Sequence, residues 1–99
     1  MKIQIHAQQF DLDEKLKDHV QKRVLKLEQY FDKIIDCEVF LRLENQGAQI
    51  KDKTAHIKVN IPGDTLFAEE TSKIFEESID QAADSLRRQI KRYKEKIRN

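Results

Sequence analysis

The apolar residues of this 99-residue chain change their spacing along its length, and no other feature constrains the fold as much. A period of two marks a strand with one buried face, whereas steps of three and four mark one stripe of a helix. Residues 2–8 alternate, with Ile3, Ile5 and Ala7 on one face and Lys2, Gln4, His6 and Gln8 on the other. Asp13 then stands where a helix cap belongs, with Glu14 adding negative charge to the first turn. From there Leu16, Val20, Val24, Leu27 and Phe31 predict one helix of about five turns. Alternation returns over residues 35–44, placing Ile35, Cys37, Val39, Leu41 and Leu43 inward. The stretch Asn45-Gln46-Gly47-Ala48-Gln49 reads as a turn.

A third strand turns Ala55, Ile57, Val59 and Ile61 inward and His56, Lys58 and Asn60 outward. Pro62-Gly63-Asp64 predicts a tight turn, and a short fourth strand is expected from about Thr65 to Glu70. Phe75, Ile79, Ala82, Ala83, Leu86, Ile90, Tyr93 and Ile97 then keep helical spacing to the end, with Thr71 or Ser72 as the candidate cap. That helix would run for about 26 residues. The order is β-α-β-β-β-α. Each strand has one apolar face and each helix one apolar stripe. The expected fold class is therefore α+β, in two layers: a four-stranded, mainly antiparallel sheet with both helices on one face.

Length predicts a single domain over residues 1–99. Hydrophobic residues are 38% and charged residues 37%, so the core is small and amphipathic elements must supply much of it. Leu, Ile, Val and Phe still make up 28 of the 99 residues, above the level at which chains stay disordered. Cys37 is the one cysteine, which excludes an internal disulfide framework and suits a reducing cytoplasm. No apolar run is long enough to span a membrane, and the alternating N-terminus does not read as a signal peptide.

Catalytic signatures are missing. His6, His19 and His56 are far apart and share no metal-ligand spacing with Cys37, so no metal and no cofactor is expected. No phosphate-binding glycine loop or nucleophile elbow occurs. The carboxylates interleave with bases as they do on solvated faces. The residues predict a binding protein, without a small-molecule substrate, rather than an enzyme.

Charge is distributed unevenly beneath a net value of +1. Asp64 to Asp80 carries a balance of −5, and Gln81 to Asn99 a balance of +5. On the last helix Arg88, Arg92 and Lys96 recur at four-residue steps, with Arg87, Lys91, Lys94 and Arg98 beside them. On the first helix Lys22, Arg23, Lys26 and Lys33 lie off the apolar stripe. Helices on one side of the sheet would let these bases share one surface, suited to tracking phosphates with little sequence preference. Dipole compensation and solubility account for one or two bases, not for seven in 19 residues. Phe40 is the one clear aromatic on an outer strand face, and Tyr30 and Tyr93 read as edges of the core. Structured RNA suits this pattern better than single strands. The competing reading is a protein-interaction module pairing through the apolar stripe of the last helix.

Val24-Leu25-Lys26-Leu27-Glu28-Gln29-Tyr30-Phe31-Asp32-Lys33-Ile34, together with Leu86-Arg87-Arg88-Gln89-Ile90-Lys91-Arg92-Tyr93-Lys94, resembles the ribosome hibernation promoting factors and the related ribosome-associated inhibitor A. The resemblance covers essentially the whole chain, in the length of the short form. It implies a fold similar to a double-stranded RNA-binding domain. It also implies a non-enzymatic translation inhibitor that binds 16S rRNA in the messenger and transfer RNA channel of the small ribosomal subunit, under stress or in stationary phase. The family's helix bases fall on Arg23, Lys26, Arg88, Arg92 and Lys96, and Lys22, Arg87 and Lys91 complete the expected rRNA-binding set. Two departures stand out: Ile74-Phe75-Glu76 replaces an Asp-Met-Tyr run, and Ser85 replaces a Lys. Ending at Asn99, the chain is expected to lack both the acidic tail of the inhibitor type and the extra domain of the long form.

Overall fold

The structure is a computed structural model that describes residues 1–45 and 51–97. It places β1 at Lys2–Gln8, α1 at Glu14–Leu25, a 3-10 turn at Lys26–Gln29, β2 at Asp36–Asn45, β3 at Lys51–Ile61, β4 at Asp64–Ser72 and α2 at Phe75–Ile97. The strands lie in sequence order, β1-β2-β3-β4. β1 pairs with β2 in parallel, which needs a crossover, and α1 with its 3-10 turn supplies it. The other two pairings are antiparallel. The expected two-layer α+β architecture is the one found.

Register explains why one face of the sheet is dry. Cys37 pairs with Val59, Val39 with Ile57 and Leu41 with Ala55, while Ile57 pairs with Ala68. Period-two geometry sends all of these to the same side. There they meet Leu16, Val20, Val24 and Leu27 from the first helical segment and Phe75, Ile79, Ala82, Leu86 and Ile90 from α2. Each fully buried Leu or Ile contributes roughly 1.5–3 kcal/mol over an exposed one. The apolar stripe of α2 is thus committed to the protein's own core, which removes the surface that the interaction-module reading needs. Only Ile97, at its end, is exposed. Among the described residues, no helix is long and apolar enough to cross a membrane.

Local chemistry accounts for the element ends. Asp13 caps α1 as expected, its Oδ1 accepting from the Leu16 N–H at 2.7 Å. Pro62-Gly63 joins β3 to β4 directly, with Ile61 opposite Asp64. Gly63 has a φ of +78°, which follows a proline naturally in a type II turn and is strained for any residue with a Cβ.

Several expectations need correction. The first helix does not run to Phe31: α1 stops at Leu25 and the chain tightens into the 3-10 turn. Tyr30 and Phe31 both direct their N–H groups to the Leu27 carbonyl, at 3.0 and 3.3 Å. Leu27 follows Val24 by three residues, a step that suits either kind of helix, so spacing does not separate them. Ile35 is 57% exposed rather than inward, because β2 begins only at Asp36 and Ile34 fills the core beside it. Neither Thr71 nor Ser72 is a helix cap in the ordinary sense. Both belong to β4, which extends past Glu70 through pairing with Lys53 and Thr54. The Thr71 hydroxyl lies 2.8 Å from that of buried Thr54, and Ser72 Oγ lies 2.7 Å from Ser78 Oγ. Buried Ser78 donates to the Lys53 carbonyl at 2.7 Å, fastening the start of α2 to β3. The predicted turn at 45–49 lies outside the described residues except for Asn45, which ends β2.

Candidate nucleic-acid interface

The helical layer carries the cations on its outer side. Along α2 the buried residues occupy one side, so residues three and four positions apart on the other sides form exposed rows. Arg87 and Lys91 occupy the flank toward the 3-10 turn, Arg92 and Lys96 the flank toward β4, and Arg88 the crest between them. All five are exposed. The helix dipole favours cations only near its C-terminal turn, where Lys94 and Lys96 stand. Arg87, Arg88 and Lys91 lie further back, so dipole compensation does not explain them.

A groove between the two helical segments gathers Arg23, Lys26 and Arg87 with Tyr30 and Asp84. Its wall continues past Tyr30 to Lys91 and Lys94. Tyr30 organises this stretch. The Arg87 guanidinium carbon lies 5.9 Å from its ring centroid, a cation–π contact. Lys94 Nζ donates to the Tyr30 carbonyl at 2.7 Å, satisfying an acceptor that the end of the 3-10 turn leaves open. Tyr30 and Tyr93 are half-buried against the core, as their amphipathic character suggested. The Tyr93 ring meets Phe31 edge-on at 5.6 Å.

The eight residues singled out from the sequence therefore do not all meet. Arg23, Lys26, Arg87 and Lys91 share the groove. Arg92 and Lys96 line a separate depression with Gln89 and Tyr93. Lys22, in the last turn of α1, is exposed on another side of the helix, beside Lys15, Asp18, His19 and Glu76. Arg23 differs from the rest. It is half-buried, with Nε 2.9 Å from Asp80 Oδ1, Nη2 3.0 Å from Asp84 Oδ1 and Nη2 3.2 Å from the Asp80 carbonyl. Lying off the apolar stripe therefore does not leave Arg23 freely exposed as it leaves Lys26. Sequence reading missed Lys94's bond to Tyr30 and the partners of Arg23, which lie 57 to 64 residues away and leave no local signal.

The opposite face of the sheet also departs from expectation. Phe40 is not its only ring. His6, Phe40, His56 and Phe67 form a row from β1 to β4, with centroids 4.8, 6.0 and 6.0 Å apart. Carboxylates flank the row: Glu38 lies 3.4 Å from His6 and Glu69 lies 3.4 Å from His56. Those charges oppose phosphate, which leaves the helical side as the surface for a polyanion.

Among the described residues, no group of three His, Cys, Asp or Glu side chains is placed to hold a metal ion. Cys37 is fully buried, and burial, then Asp36 and Glu38, push its thiol up to about 12. It is a core residue rather than a nucleophile.

Comparison with known proteins now places the chain. The model of the Sigma 54 modulation protein / S30EA ribosomal protein family matches residues 3–98. The chain belongs to that family. Among its relatives is the ribosome hibernation promoting factor of Pseudomonas putida, 29% identical over 96 residues that cover 97% of this chain and 89% of the relative. The ribosome hibernation promotion factor of Bacillus subtilis is 32% identical over 99 residues, covering 98% of this chain and 50% of that one. This family member thus spans about half the length of the Bacillus relative. The N-terminal domain of Protein Y from Thermus thermophilus superposes with a TM-score of 0.82 at 28% identity, covering 94% of this chain and 99% of that domain.

Proposed function

We propose that this protein binds the small ribosomal subunit, with residues 1–99 working as one ribosome-binding domain in the cytoplasm. Its helical cations meet 16S rRNA phosphates in the messenger and transfer RNA channel, so that binding blocks translation and promotes hibernation of idle ribosomes under stress or in stationary phase. The observation that carries this reading is the exposed array of Lys26, Arg87, Arg88, Lys91, Arg92 and Lys96 on one layer of the fold. Guanidinium forks and ammonium groups spread over two flanks and a crest suit the phosphates of a folded RNA, which approach from several directions. The names of the relatives support a ribosomal partner. The core needs none of these side chains, so the array is free to serve a partner.

The decisive test is a double charge reversal, Arg88→Glu with Arg92→Glu. Both side chains are exposed, so folding should change by no more than about 0.5 kcal/mol per site. Repulsion should replace attraction at adjacent phosphates. Co-sedimentation with purified small subunits should collapse, and inhibition of cell-free translation with it. A folded variant that still sediments with subunits and still blocks translation would refute the proposal.

A further inference from the structure

Two rungs join α1 to α2. His19 and Arg23 stand four residues apart on α1, and Asp80 and Asp84 stand four apart on α2, so each pair lies on one helix face. His19 Nε2 is 2.8 Å from Asp80 Oδ1, and Arg23 reaches both carboxylates and the Asp80 carbonyl. Nη2 is taken up by Asp84 Oδ1 and the Asp80 carbonyl, Nε is buried beside Asp80 Oδ1 outside hydrogen-bond geometry, and the side chain is only 26% exposed, so the Arg23 guanidinium is already held between the two acids. A phosphate placed on it would also lie beside two carboxylates, an arrangement that like-charge repulsion disfavours. Lys26, one turn further along, and Arg87, one turn beyond Asp84, line the same groove. Among the described residues, neither makes an ion pair.

We infer that Asp80 and Asp84 select which cations of the groove meet phosphate: they hold Arg23 as a brace between the helices and leave Lys26 and Arg87 to the ligand. Arg23 is then a positioning residue, acting through the spacing of the two helical segments. This inference rests on the proposed rRNA-binding role of the groove, and it assigns Arg23 a part in that role different from the other bases.

The test is a cycle on the full chain, with a short labelled RNA duplex as probe and affinity measured across a salt series. Each phosphate contact adds about one unit to the log–log salt slope. Arg23→Gln in the parent should leave the slope unchanged. Asp80→Asn with Asp84→Asn should steepen it and tighten binding several-fold. Adding Arg23→Gln to that pair should then remove about one unit. An equal loss of slope in both backgrounds would overturn the brace, because Arg23 would already be meeting phosphate. No loss in either background would overturn it too, because the carboxylates would then act on the RNA directly. Absence of duplex binding even by the acid-neutralised variant would count against it in the same way. Should Arg23→Gln fail to fold, Arg23→Lys serves, with the parental slope expected while one ion pair persists. A purely structural role would move the melting temperature but not the background dependence of the slope. Running the series with purified small subunits separates the two claims: if the duplex follows the pattern and subunits bind no variant, the ribosomal proposal falls and the brace stands.

Discussion

Glu69 shows what a single residue on the open face of the sheet does. Arg42 donates to it from Nη2 at 2.9 Å and to Glu44 from Nε at 2.8 Å, while His56 Nδ1 lies 3.4 Å away. The hydrogen bond from Arg42, with a smaller one from His56, holds the Glu69 carboxyl below its ordinary value of 4.5 against the opposing effect of burial. Its hydrogen bond to Glu69, and then that to Glu44, hold the Arg42 guanidinium above its own ordinary value. Because the folded-state pKa of Glu69 is depressed, its contribution to stability is complete above about pH 4.5 and is lost as pH falls through the folded value. Glu69→Gln should therefore lower the melting temperature near neutral pH, with the gap to the parent closing in acid. Half-exposed, the group is screened by solvent, so added salt should shrink the gap as well. Cys37 is the opposite case, a buried group kept neutral. Its reaction with a thiol reagent at neutral pH should keep pace with unfolding only. Cys37→Ser should cost about 1–3 kcal/mol through a poorly partnered hydroxyl while leaving the proposed small-subunit binding intact.

Among the elements, the 3-10 turn has the widest consequences. It sets Leu27 into the core at 2% exposure, turns the chain toward β2 and presents the Tyr30 carbonyl and ring to α2. Leu27→Ala should destabilise the fold by roughly 2–5 kcal/mol, read from chemical denaturation, because the site is closed on all sides. A variant that unfolds like the parent would mean the turn does not bear on the core. Much of this was legible beforehand. The stripe Leu16, Val20, Val24, Leu27 marks the buried face whichever helix type carries it, and Asp13 and Pro62-Gly63 announce their cap and turn by local chemistry. The helix type itself was not legible, since steps of three satisfy both geometries. The extension of β4 to Ser72 was not legible either. It depends on Lys53 and Thr54 standing opposite, and Thr71 and Ser72 by themselves look like cap residues.

The two layers carry different surfaces. Rows of cations project from the helical side, while the sheet's open face mixes carboxylates, Arg42, histidines and two exposed or half-exposed phenylalanines. If the helical side is the RNA-binding surface, its two flanks should contribute separately. Arg87→Gln with Lys91→Gln and Arg92→Gln with Lys96→Gln should each flatten the salt dependence of small-subunit binding by about two units. The four changes together should approach the sum of both, because the flanks share no partner. Sedimentation across a salt series reads this directly, and a slope left unchanged by either pair would remove that flank from the interface.

What the sequence by itself determined is everything that repeats within one element: the order β-α-β-β-β-α, the buried face of each strand, the stripe of each helix and the basic rows along α2. Those features follow from backbone geometry over three or four residues, which is the range that spacing reports. Tertiary structure alone decided which side chains were already engaged. It turned Ile34 rather than Ile35 into the core, set four rings in a row across four strands, and bound Arg23 to acids about 60 residues away while leaving Lys26 open. Arg23 and Lys26 look alike as letters in a basic helix. They differ because one faces Asp80 and Asp84 across the helix pair and the other does not, and that pairing exists only once both helices have packed on the same sheet.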